Sequence, residues 1–227
     1  MITHKFDYKS LSRKNINNTR HYLLPDGSYV PSVTSILSKT KPKESVEALN
    51  AWRNRVGLEE AQKITTQAAN VGTIMHKNLE EYLLGNDIPE KTNIIYAQAK
   101  RMSDTVITEG LTPHASEIYG VEVSLYYSGV YAGSTDCVAL WDDELAILDF
   151  KQTNKPKKRE WIEDYFLQGC LYAAAHNDIF GTDIRKFVVL MCSRDFQYQE
   201  FILEGSEFDD MMVAATKRVE QYYSLAA

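Results

Sequence analysis

Two apolar runs separated by three acidic residues constrain the second half of this 227-residue chain more than any other feature. Residues 130–141 and 145–152 are rich in β-branched and aromatic side chains, and Asp142, Asp143 and Glu144 form a short polar break between them. That pattern predicts a β-hairpin. Side chains alternate faces along a strand, so Asp149 and Lys151 project to one side and Phe150 to the other. A hairpin in register sets Asp136, on the first strand, across from that pair. Two carboxylates and an ammonium on one sheet edge make a place for a divalent cation, a phosphate and a water.

The rest of the chain supplies a frame for that edge. Residues 120–127 alternate apolar and polar and predict a further strand beside the one carrying Asp136, with Glu122 on it. Residues 161–177 read as a helix, in which the four-residue interval sets Gln168 and Tyr172 on one face. Strands at 186–192 and 197–203 and a closing helix at 206–224 follow. Upstream, 20–33 reads as a hairpin turning at Pro25, Asp26 and Gly27, leading into a short helix at 32–37. Residues 44–110 are largely helical in pattern, with an interruption at 85–89. The length suits one good core. The expectation is therefore a single α/β domain over residues 1–227, with a hairpin and helical region at 1–115 and a core at 116–227. In that core a central mixed β-sheet is flanked by helices.

The chemistry of the hairpin can be read from its residue types. A phosphodiester is anionic and repels hydroxide, so its hydrolysis needs positive charge beside the phosphate and an acidified water, both of which carboxylate-held metal supplies. Asp136 and Asp149 would be ligands of a hard cation, Mg2+ or Mn2+, as one or two ions. Lys151 would orient the attacking water or neutralise charge developing on the phosphorus oxygens. A bare Asp-x-Lys triplet also describes a salt bridge on a solvated strand face, so its neighbours must decide. Glu122 is either an inward-facing additional ligand, or holder of a metal-bound water, or a solvated strand residue. His76 lies in a helical pattern at 67–84 with Glu80 on its face, a setting in which a lone histidine is commonly structural. No second histidine or cysteine stands at a spacing that suits zinc.

Four short motifs then fall in order: Gly72-x-x-x-His76, Gly133-x-x-Asp136, Asp149-x-Lys151 and Gln168-x-x-x-Tyr172. This order resembles the RecB-type branch of the PD-(D/E)XK nuclease superfamily. Within it, Tyr29-Val30-Pro31-Ser32-Val33-Thr34-Ser35-Ile36-Leu37 followed by Trp52-Arg53-Asn54-Arg55-Val56-Gly57 is similar to phage-encoded and mitochondrial genome-maintenance exonucleases. The resemblance covers residues 20–175 and implies specific roles. His76, Asp136 and Asp149 would bind metal together with the backbone carbonyl of Phe150, Lys151 would be catalytic, and Gln168 and Tyr172 would contact DNA or support the site. It also implies that the N-terminal helical region arches over the site and lets a single strand pass, with Trp52, Arg53 and Arg55 as candidates to line the passage, although for Trp52 helix packing is the stronger reading. Asp149 stands where the superfamily frequently has glutamate, a permitted form of the motif.

Charge and composition refine the substrate. A net charge of −6 does not suit a general duplex binder, so affinity for DNA must come from a local basic channel and bound metal. Lys155, Lys157 and Lys158 form a compact basic run before the 161–177 helix and would guide a strand toward the metals, although such runs are usually solvated loops. Among 14 tyrosines, Tyr82, Tyr126, Tyr127 and Tyr131, with Trp52, offer rings on which single-strand bases can stack. The expected activity is hydrolysis from single-stranded DNA ends. The alternatives are a structure-specific endonuclease on the same fold and a non-catalytic DNA-binding subunit of a replication or recombination complex.

Three scattered cysteines, Cys137, Cys170 and Cys192, sit in apolar settings and are too few for a four-cysteine iron–sulfur cluster. They read as buried thiols in a reducing compartment. No apolar run reaches membrane-spanning length, and the first residues resemble neither a signal peptide nor a transit helix. The expected setting is the cytoplasm of a bacterium or of a phage-infected cell.

Overall fold

The computed structural model describes residues 2–88 and 92–226; of the predicted helix break at 85–89, Pro89 lies outside the described residues. The chain opens with a small antiparallel sheet of β1 (Arg13–Ile16), β2 (Thr19–Leu23) and β3 (Tyr29–Pro31), in that order. The last two strands are the hairpin expected at 20–33. β1 was not expected, because only one of its four residues is apolar. Asn17 and Asn18, at φ +50° and +58°, make the tight turn that folds β1 onto β2.

Ser32 caps α1 (Val33–Lys39), its hydroxyl accepting the Ser35 N–H at 3.1 Å. The helical region comprises α2 (Lys43–Val56), α3 (Leu58–Leu84), α4 (Ile94–Val106), a π-helical turn (Ile107–Leu111) and the short α5 (Thr112–His114). Gly85, at φ +77°, closes α3 in the left-handed conformation that a glycine adopts without strain.

The second half builds one five-stranded mixed sheet flanked by helices, as expected. Its strands are β4 (Ala115–Tyr127), β5 (Tyr131–Trp141), β6 (Glu144–Thr153), β7 (Phe187–Ser193) and β8 (Tyr198–Leu203), in spatial order β4-β5-β6-β7-β8. Helix α6 (Glu163–Phe180) crosses over between β6 and β7, which is why that pair alone is parallel, and α7 (Gly205–Ala226) closes the chain. One face of the sheet, with Val138, Ile147 and Val189, packs under α1, α6 and α7 through Ile36, Phe166, Leu171 and Ala215. The other, with Leu148, Phe150 and Leu190, packs under α3 and α4 through Val71, Met75, Leu79 and Met102. Burial on both faces accounts for the near-continuous apolar runs of β6 and β7.

Candidate active site

The site forms where β5 and β6 separate. Their ladder ends at the Cys137–Leu148 pair, and Asp136 and Asp149 stand one step beyond it. Asp136 replaces the missing backbone rung with its side chain, Oδ2 accepting the Phe150 N–H at 2.7 Å. A strand residue's N–H and C=O point to the same flank, so the Phe150 carbonyl faces this fork as well.

Asp149 is only 2% exposed, on the face covered by α6. Gln168 reaches it from that helix, its amide Nε2 donating to Asp149 Oδ1 at 3.2 Å. Lys151, two residues along the strand, forms a close ion pair with Asp149 Oδ2, which receives no directed hydrogen bond. The ammonium also lies 4.9 Å from the ring centroid of Tyr165. The Asp-x-Lys triplet is therefore a buried pair and not a bridge on a solvated face. Tyr172, one helical turn after Gln168, is buried and lies flush against the backbone of Gly133.

His76 enters from the opposite side of the sheet. Met75 and Leu79 of α3 are fully buried in the second core, and the helix passes Gln152 of β6 at Gly72. One turn on, His76 Nδ1 comes within 3.4 Å of Asp136 Oδ1 through the fork. Glu80 shares the helix face but pairs with Lys77 at 3.0 Å.

Glu122 completes the group by an irregularity. It lies between the Val121–Cys137 and Val123–Thr135 pairs, across from Asp136, and has φ +51°. Such a backbone costs a non-glycine residue of order 1 kcal/mol and persists only where its surroundings hold it. Its effect is visible in the neighbours: Val121 packs in one core and Val123 in the other, although residues two apart in a regular strand share a face. Single ligand atoms of His76, Glu122 and Asp136 all lie within 4.8 Å of one another.

The electrostatics follow from crowding charge in a low-dielectric fork. Burial raises the pKa of Asp149; Lys151 opposes this and the charge on Asp136 adds to it. Burial works against charge on Asp136 too, but His76, Lys151 and the Phe150 N–H outweigh it and hold that carboxyl below its usual range. His76 and Lys151 are each disfavoured as cations by burial, yet the neighbouring carboxylates raise both. Glu122 remains exposed at the rim, but desolvation by its neighbours and repulsion from Asp136 push its pKa up. The donor set of an imidazole, carboxylates and a strand carbonyl fits a hard or borderline divalent cation, which would relieve that repulsion.

Glu122, Asp136, Asp149, Lys151, Gln168 and Tyr172 line one cavity of about 250 Å³. Gly133, Ser134, Arg13, Arg20, Tyr22, Ser32 and Thr34 complete its wall, and of these Arg13, Arg20 and Tyr22 were not picked out from the sequence as site residues. Their signal was present in the Asn17-Asn18 turn and the alternation of Arg20 with Tyr22, but nothing local connects that hairpin to residues 133–172. Other expected contacts stand apart from the cavity. Arg53 and Arg55 are exposed on α2, which packs against α3. Lys155 is exposed, and Lys157 is tied by its backbone to the Gln199 side chain. Lys158 sits over Trp161 at 5.5 Å. Tyr131 is buried and stacks on Tyr127, with ring centroids 5.5 Å apart. Cys137, Cys170 and Cys192 are buried and unpaired, and no described helix is long and apolar enough to cross a membrane.

No protein-family model matches the chain. A Xenopus tropicalis protein named mitochondrial genome maintenance exonuclease 1 is 27% identical over 179 residues, covering 73% of this chain and 49% of that protein. The Homo sapiens protein of that name is 27% identical over 163 residues, covering 65% of this chain and 44% of that protein. The chain thus spans about half the length of the curated relatives it matches. These relatives are vertebrate proteins with a mitochondrial name and lend no support to a bacterial or phage origin. Among solved structures, a Eubacterium rectale chain superposes with a TM-score of 0.49 at 14% identity, covering 66% of this chain and 64% of that one. An alkaline exonuclease from Laribacter hongkongensis gives 0.32 at 12%, covering 70% and 89%. Superpositions this loose add nothing to the sequence match. The resemblance to the PD-(D/E)XK nucleases, and among them to the mitochondrial genome maintenance exonucleases, therefore holds on two grounds: the aligned sequence, and the meeting of His76, Asp136, Asp149 and Lys151 at the end of β5 and β6.

Proposed function

We propose that the chain is a divalent-metal-dependent exonuclease that hydrolyses DNA from single-stranded ends, working as one nuclease domain over residues 1–227. The observation that carries this reading is the convergence of Glu122, Asp136, Asp149 and Lys151 on one cavity, with His76 against Asp136 from behind. His76, Glu122 and Asp136, joined by Asp149 and the Phe150 carbonyl, would hold Mg2+ or Mn2+, as one or two ions. Such an ion, when bound, supplies positive charge beside the phosphate and acidifies a water.

The protein's own residues do the rest. Asp149 holds the Lys151 ammonium at the cavity, where it offsets negative charge growing on the phosphate oxygens as the water adds. Gln168 fixes the orientation of Asp149, and Tyr172 closes the floor of the cavity against Gly133. Arg53, Arg55, Lys155, Lys157 and Lys158 serve as outer contacts to the strand. Preference for single strands is supported by the net charge of −6 and by exposed rings such as Tyr82 and Tyr127, which suit stacking better than duplex binding. The name exonuclease borne by the relatives supports the reaction class. The buried free thiols agree with a reducing compartment.

The test is cleavage of end-labelled linear single-stranded DNA beside its closed circular form, with Mg2+, Mn2+ or chelator. Metal-dependent loss of the linear form alone, abolished in Lys151→Ala while DNA binding persists, is expected. Cutting of the circle would replace the reading with an endonuclease. Wild-type turnover in the variant would remove Lys151 from the chemistry.

A further inference from the structure

We propose that Arg20, with Arg13 and Lys39, forms a second phosphate-binding subsite that carries the catalytic cavity on into a polar cleft and seats the nucleic-acid backbone next to the scissile bond. This rests on the nuclease reading above. Arg20 and Thr34 line two cavities at once: the catalytic one, and a neighbouring cleft of about 350 Å³ whose wall includes Asn15, Asn18, Ser38 and Lys39. A chain leaving the carboxylates in that direction passes over the guanidinium of Arg20.

The register of the small sheet explains why the wall is basic. Arg13 pairs with Tyr22 across β1 and β2, and Arg20 lies two residues before Tyr22, so the three side chains share one face. All three line the cavity that Asp136 and Asp149 also line. Among the described residues no carboxylate lines the neighbouring cleft, although the chain has 31 acidic residues against 25 basic ones. Amides, hydroxyls and two basic side chains are what an acceptor-only phosphodiester requires.

These arginines also hold no carboxylate among the described residues. Arg159, Arg185 and Arg218 are each spent on a carboxylate, Glu207, Asp209 and Asp164 respectively. Among the described residues neither Arg13 nor Arg20 has an ion-pair partner, and both are exposed. A guanidinium left unpaired beside a cluster of carboxylates, on a separate small sheet, is placed to grip substrate rather than to hold the fold.

The experiment is binding of a short single-stranded oligonucleotide carrying one uncharged methylphosphonate linkage, moved stepwise from the end, to Lys151→Ala and to the same protein with Arg20→Ala or Lys39→Ala added. Arg20→Ala is expected to weaken binding about tenfold, the size expected of one charge-assisted contact. A methylphosphonate at one linkage should cost the Arg20-containing protein a similar factor and the Arg20→Ala protein nothing. Lys39→Ala should lose sensitivity at a linkage further along. Unchanged affinity in Arg20→Ala, or undiminished sensitivity to the same linkage, would overturn the subsite while cleavage by the wild type left the nuclease reading standing. A wild type that neither binds nor cleaves would remove both. Thermal melting of the variants guards against misfolding, which is not expected for exposed side chains.

Discussion

A β-carbon added to Gly133 would fall 2.4 Å from Cε1 of Tyr172. Two short motifs that are far apart in the chain, Gly133-x-x-Asp136 and Gln168-x-x-x-Tyr172, are thus two sides of one contact. The glycine is there because α6 lies so close to β5, and that approach is what brings Gln168 to Asp149.

Gly133→Ala therefore forces apart a buried ring and a strand that frames the site. It should lower stability by about 1–3 kcal/mol and reduce cleavage more than that loss alone explains. Adding Tyr172→Leu should recover part of the stability by making room. Denaturant unfolding of the single and double variants reads the coupling directly, and independent, additive effects would show that the contact is not shared.

On the proposed reading, Gln168 acts through Asp149, to which its amide donates. Gln168→Leu should cut kcat by about 10- to 100-fold, as loss of an orienting partner does, with KM nearly unchanged. Gln168→Glu should be worse, because it sets a second carboxylate against Asp149, whose pKa burial already raises. A rise in KM with unaltered kcat would instead make Gln168 a substrate contact.

Ligand assignment can be checked without any turnover. Titration calorimetry with Mn2+ should find affinity reduced by about tenfold or more in Asp136→Asn and in Glu122→Gln. The second variant is the informative one, since Glu122 joins the group only through its left-handed backbone. Wild-type affinity in Glu122→Gln would return that residue to the solvated rim.

Acid sensitivity should arise far from the site, at His176. Its ring is fully buried, with Nε2 2.9 Å from the Tyr8 hydroxyl and Nδ1 2.8 Å from that of Thr182. Because Thr182 donates to Asn177, the network assigns the His176 proton to Nδ1 and leaves Nε2 to accept from Tyr8. Burial pushes its pKa from 6.5 down to about 4. Between those two pH values the unfolded chain binds a proton that the folded one refuses, so stability falls as pH drops through that window, by up to about 3 kcal/mol. In His176→Gln the slope of unfolding free energy against pH should flatten there; an unchanged slope would place the sensitivity elsewhere.

The periodicity of residues 130–152 and the acidic turn were enough to predict the hairpin and to single out Asp136, Asp149 and Lys151 on it; giving them a role took the resemblance carried by the four motifs. These signals are local: a strand buried on both faces must be apolar, and its charged exceptions stand out. The four-residue spacing on a helix, likewise, sets two side chains on one face whatever the helix packs against.

Only the tertiary structure decided how those residues meet. Nothing near Glu122 in the sequence announces a left-handed residue inside a strand, because that conformation is sustained by cores assembled from residues 33–37, 71–83, 99–111 and 118–219. Arg13 and Arg20 reach the cavity because the small sheet docks on β5 through contacts of β2 and β3, and no pattern within residues 13–23 encodes that docking. Backbone periodicity is a property of neighbours along the chain. The fork between β5 and β6, and the charges that meet in it, depend on α3 and α6 pressing from opposite faces, and that is a property of the packed molecule alone.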